Sequence, residues 1–111
     1  MSAGSTQFRE PTAAELRLLR RLAALAPALG SVWLEGLLVC EMDDGRMGSL
    51  KLQVSGRVPS HRAFGSKASE WQFTDKDGVV ALSTLYLDAE GVPYELDIWK
   101  TDFSPLICLP E

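Results

Sequence analysis

The sequence predicts an α+β domain, with an N-terminal helix packed on an antiparallel sheet of four or five strands joined by hairpins. Two observations predict it. One capped, leucine-rich amphipathic segment comes first. After it, hydrophobic runs of strand length are separated by three acidic-Gly turn signals. A helix ahead of consecutive hairpins suits an antiparallel sheet covered by the helix on one face.

Residues 1–8 read as a flexible leader of small and polar residues, and residues 9–111 as the single domain. Thr12-Ala13-Ala14-Glu15 is a capping box, in which hydroxyl and carboxylate exchange bonds with each other's backbone amides. The helix is expected over 12–27. Leu16, Leu19, Leu22, Ala23 and Ala26 mark its buried face, with Leu18 and Leu25 at the edge, and Pro27 and Gly30 end it. Arg17, Arg20 and Arg21 lie away from much of that stripe and read as a solvated face.

Residues 32–42 form an apolar run of strand length, closed by the turn Asp43-Asp44-Gly45-Arg46. Residues 49–54 alternate, with Leu50, Leu52 and Val54 on one side. Residues 55–68 carry Gly, Pro, Ser and the only His, and read as a loop or irregular edge. Residues 68–74 put Trp71 and Phe73 on one face, before the turn Asp75-Lys76-Asp77-Gly78. Residues 79–87 are the clearest strand, followed by the turn Asp88-Ala89-Glu90-Gly91. Residues 92–100 alternate, with Tyr94, Leu96 and Ile98 inward and Glu95, Asp97 and Trp99 outward. Leu16, Leu19, Leu22, Leu50, Leu52, Trp71, Phe73, Leu96 and Ile98 are the expected core. Asp102 can cap the turn that follows, and Phe103, Leu106 and Ile107 are apolar enough to predict a tail that folds back on the core.

The charge is uneven. Residues 1–30 carry four Arg against two acids, residues 31–69 five bases against four acids, and residues 70–111 two Lys against nine acids, a net −7. Phosphate backbones need Lys and Arg, so nucleic acid is not expected at the C-terminal part. A basic protein partner suits it, as does a plain solvated surface. No apolar run reaches membrane-spanning length and the N-terminus lacks a signal-peptide core, so neither a membrane nor export is expected and the location reads as cytoplasmic.

Chemistry is sparsely supplied. Cys40 and Cys108 lie far apart in apolar surroundings and read as buried free thiols. His61, the only histidine, stands in a polar stretch, and a Ser-His-Asp or Cys-His site would have to use it. The Asp-rich turns lack the central Gly and final Glu of a calcium loop. Glu95, Asp97 and Asp102 are close in sequence, but no phosphate-cradling Gly loop or other pocket motif accompanies them. No enzyme, metal or cofactor is expected. Glu95, Asp97 and Trp99, an aromatic among acids, fit a protein interface, unless the helix or the tail covers Trp99.

Met42-Asp43-Asp44-Gly45-Arg46-Met47-Gly48-Ser49-Leu50 and Glu95-Leu96-Asp97-Ile98-Trp99-Lys100-Thr101-Asp102-Phe103-Ser104-Pro105-Leu106 are distinctive. With the opening Arg9-Glu10-Pro11-Thr12, they resemble a family of short, uncharacterised bacterial proteins across nearly the whole chain. The resemblance carries over no catalytic residues. Small acidic proteins of this kind look like immunity proteins of polymorphic toxin systems, which is an analogy of size and charge. The expectation is therefore a non-catalytic binding module, an immunity-type inhibitor of a basic toxin, with Glu95, Asp97, Trp99, Asp88 and Glu90 as partner-binding residues. The alternatives are a structural or regulatory homo-oligomer, a dimer being the simplest, and more remotely a small hydrolase.

Overall fold

The computed structural model describes residues 7–56 and 63–110. Helix α1 spans Ala13–Ala24, and its capping box forms: Glu15 N donates to Thr12 Oγ1 at 3.1 Å and Thr12 N to Glu15 Oε1 at 2.8 Å. The sheet has five strands, β1 (Leu38–Glu41), β2 (Leu50–Gln53), β3 (Phe64–Thr74), β4 (Val80–Asp88) and β5 (Pro93–Lys100). Every neighbour is antiparallel in the order β1-β2-β5-β4-β3, so the fold is α+β as the sequence predicts. Three of the connections are hairpins. The chain between β2 and β3 instead crosses to the far edge, because β2 pairs with β5.

Three element boundaries differ from the sequence reading. Helix α1 ends at Ala24 rather than at residue 27, because Pro27 opens a separate 3-10 turn, Pro27–Leu29. The apolar run from residue 32 begins as a 3-10 turn, Val32–Leu34, and the strand starts only at Leu38. Trp33 is buried there and its indole N–H donates to Gly30 O at 3.0 Å, so the run plugs the core before entering the sheet. At the far edge β3 begins at Phe64 rather than near Ala68, with register shifts at Phe64/Ser66 and Lys67/Ser69. A polar edge strand carrying bulges has little alternation to read. Gly65 is required there, since a Cβ would collide with the Asp88 carbonyl. His61 lies outside the described residues, as do residues 1–6 of the expected leader.

The core lies between α1 and one sheet face. Leu19, Leu22, Leu50, Leu52, Phe73, Leu96 and Ile98 are buried as expected, with Val39, Ala81 and Leu85 beside them. Trp71 is half-buried against this cluster. Helix phase is rotated from the expected stripe: Leu18 is buried and Leu16 only half-buried, while Leu25 is exposed. The C-terminal tail lies on this side of the helix, Leu109 packing on the core and Pro110 lining a groove with Leu18. The two thiols also part company, Cys40 being buried and Cys108 exposed. No helix among the described residues is long and apolar enough to cross a membrane.

Candidate functional site

Antiparallel register places Trp99, Leu82 and Gln72 in one row on the sheet face away from α1. Asp97, Thr84 and Glu70 form the next row, and Lys51, Glu95, Tyr86 and Lys67 the third. Glu95, Asp97 and Trp99 therefore share the outer face, as alternation predicted. The helix does not cover Trp99. Trp99 is 41% exposed and meets Phe103 of the tail edge-on, with ring centroids 5.9 Å apart. Phe103 itself is 67% exposed and sits at φ 62°, a left-handed conformation uncommon outside glycine. Its amide bonds Lys100 O at 2.8 Å, and Asp102 caps the turn by accepting from Ser104 N at 3.0 Å and Ser104 Oγ at 2.6 Å.

Glu95 is half-buried, and burial together with the adjacent Asp97 pushes its carboxyl upward, with Lys51 partly offsetting them. A like charge on the neighbouring outward position of the strand raises the cost of ionising Glu95. Asp88 and Glu90 are not beside this pair. They stand in the β4–β5 turn at the other end of β5, roughly 20 Å from Trp99 by strand rise. Asp88 is buried and accepts from Glu90 N at 2.9 Å and Val92 N at 3.0 Å, so its carboxylate builds the turn, while Glu90 is exposed.

The two distinctive sequence segments come together at the opposite end of the sheet. Ser49 is buried; its Oγ accepts from Ile98 N at 2.9 Å and donates to Ile98 O at 3.2 Å. Leu106 N donates to Arg46 O at 3.0 Å. Gly48, at φ 101°, lies so close that a Cβ would stand 3.2 Å from both Ile98 and Leu106. The β3–β4 turn completes the junction. Lys100 is fully buried, its ammonium 2.8 Å from Asp75 and 2.6 Å from Asp77, and it donates to Pro105 O at 3.2 Å. Asp75 also accepts the amides of Ile107 at 2.8 Å and Cys108 at 3.0 Å. Burial pushes the Asp75 carboxyl up, but these amides and Lys100 outweigh it and bring it down to about 2. For Lys100, burial favours the neutral amine, and the two aspartates overcome this and raise its pKa.

This junction was the part of the site that sequence reasoning missed. Asp75 and Asp77 do serve the turn expected of them, with Gly78 N on Asp75 O and Val79 N on Asp77 Oδ1. Nothing in a run of Asp-Lys-Asp-Gly announces that its carboxylates also clamp a lysine 23 to 25 positions later. The tail folds back as predicted, though by its backbone. Leu106 and Leu109 pack on the core, while Phe103 and Ile107 face outward, because the amides anchored at positions 106–108 fix which side chains point in. Chemically, Lys100 is held as an ammonium, which suits a structural clamp rather than a nucleophile. Among the described residues no group of three His, Cys, Asp or Glu could hold a metal ion.

A sheet open on one face, a helix on the other and a tail clamped across one end define a small α+β scaffold that presents a strand surface. The chain belongs to the family described as a domain of unknown function (DUF6984), which it matches over residues 8–110. No curated protein and no solved structure matches it.

Proposed function

We propose that the protein is a non-catalytic binding module, an immunity-type inhibitor that takes a basic toxin against the sheet face opposite α1. The observation that carries this reading is the exposed Trp99 in line with Glu95 and Asp97. An accessible tryptophan beside Phe103 offers a rigid apolar anchor. The Glu95 carboxylate, crowded by Asp97, gains from a Lys or Arg brought by a partner, which lowers the cost of keeping it ionised. Glu90 and Asp88, in the turn at the other end of β5, stand apart from this anchor. Co-purification from the native host, followed by titration of the recovered partner, tests the idea. Trp99→Ala should weaken a basic partner by about thirtyfold, the size of a hot-spot residue. Recovery of no partner, including the product of an adjacent gene, would count against it.

A second reading, a homo-oligomer, has its own observation. Strand β3 is an 11-residue edge strand exposed over residues 63–67, whereas the four-residue β1 edge is blocked by the two backbone bonds between Arg9 and Val39. An open edge pairs with another strand, although the bulges and Lys67 of β3 blunt it. Light scattering decides: a dimer stable to micromolar dilution favours this reading.

A further inference from the structure

The outer side of α1 presents Arg17, Arg20 and Arg21 with Ala24, positions i, i+3, i+4 and i+7 of one helical stripe, and all three arginines are exposed. With Leu18 of the same helix and Pro110 of the tail they line a groove of about 390 Å³. Among the described residues no acid lines it and none of the three arginines makes an ion pair. Glu15, the only acid of α1, is committed elsewhere: Arg9 binds both of its oxygens, at 2.9 and 3.0 Å, and Thr12 N takes one of them. Like charges three and four residues apart oppose helix formation. The C-terminal dipole of α1 compensates Arg21 in the last turn but does not reach Arg17.

One guanidinium is already placed. Arg21 lies over the Trp71 ring at 4.3 Å, and Trp71 stacks on the buried Phe73 at 5.7 Å, so the platform is tied to the core. Stacking fixes the guanidinium plane and leaves its N–H edge free to donate. We propose that this groove is a binding site for a small phosphate-bearing molecule. Arg17, Arg20 and Arg21 hold its phosphates, and Ala24 and Pro110 receive its apolar part. Three guanidinium forks within one turn match a multivalent oxyanion better than a single carboxylate. The volume falls within the range of small-molecule sites. The site is separate from the surface proposed above, since it lies on the helix side of the sheet.

Calorimetric titration of the full chain at low ionic strength tests it, with tripolyphosphate as the probe, a tricarboxylate as control and a short single-stranded oligonucleotide as competitor. Saturable 1:1 binding of tripolyphosphate is expected. Arg17→Gln with Arg20→Gln should weaken it by at least about tenfold, the worth of one charged hydrogen bond. The melting transition should stay in place, because both residues are exposed. Lys67→Gln, on the opposite face, should change nothing. Absence of saturable binding, equal weakening by Lys67→Gln, or equal binding of the tricarboxylate overturns the proposal. Tighter binding of the oligonucleotide overturns it in favour of a nucleic-acid surface.

Discussion

Lys100 and Asp75 are the charged residues on which the fold most depends. A buried lysine with two carboxylates is tolerated because each partner is hydrogen-bonded beyond the ion pair, Lys100 to Pro105 O and Asp75 to two tail amides. Asp75 titrates at about 2 in the fold against an ordinary 3.8. Its folded pKa is depressed, so its stabilisation is complete above the unfolded value and is lost as pH falls through the folded one. Thermal melts should therefore show an acid limb between about pH 4 and 2 that Asp75→Asn removes, at lower stability throughout. An Asp75→Asn protein that kept the wild-type limb would place the acid sensitivity elsewhere. Ser49 gives a neutral counterpart. Ser49→Ala leaves the buried Ile98 amide without its acceptor and should cost about 1–3 kcal/mol in denaturant unfolding. Neither role can be read from the sequence, where Ser49 only opens the alternating run 49–54 and Lys100 only ends the run 92–100. Both depend on pairings 48 to 49 and 23 to 25 residues apart.

At the scale of elements, local chemistry was most legible where it is strongest. The capping box, the three acidic-Gly turns and the alternation of β2 and β5 all appear where the sequence put them. Leu96 shows how firmly: it is fully buried, and Leu96→Ala should cost about 2–5 kcal/mol, a loss under about 1 kcal/mol being compatible only with reversed strand faces. What could not be read depends on tertiary context. An apolar run such as Val32–Leu34 does not declare whether it is strand or plug, and the burial of Leu18 is set on a side of the helix where a tail distant in sequence also packs. The tail itself is an element without regular structure, anchored by Asp75, Arg46 O and Lys100. Ending the chain after Lys100 should therefore uncover Leu18 and Ile98, strip Asp75 of two donors and abolish the cooperative melt. A truncated chain that melts normally but no longer binds its partner would make the tail a recognition segment.

At the scale of the whole molecule, the acidic surplus of the C-terminal part does not form one patch. Asp75 and Asp77 neutralise Lys100, Asp88 is spent on its turn, and Glu70 pairs with Lys67 at 2.7 Å. The candidate surface therefore draws its charge chiefly from Glu95 and Asp97, with Lys51 and Lys67 flanking them in the same face. A field that local steers by charge over short range, and salt screens it beyond about 10 Å at 0.1 M. For a basic partner, charge reversal at Asp97 should then slow association by about tenfold and flatten its salt dependence, because solvent-accessible charges act mainly on encounter. Glu90→Lys, far down the strand, should change the rate by no more than about twofold. Asp97 also accepts from the buried Ser49 Oγ at 3.3 Å, so charge reversal there should lower the melt, and the rates are compared at a temperature where both variants remain folded. Stopped-flow association across a salt series separates the two sites. Equal slowing by both variants would mean that the partner senses the net charge of the chain, and the localised surface around Trp99 would have to be given up.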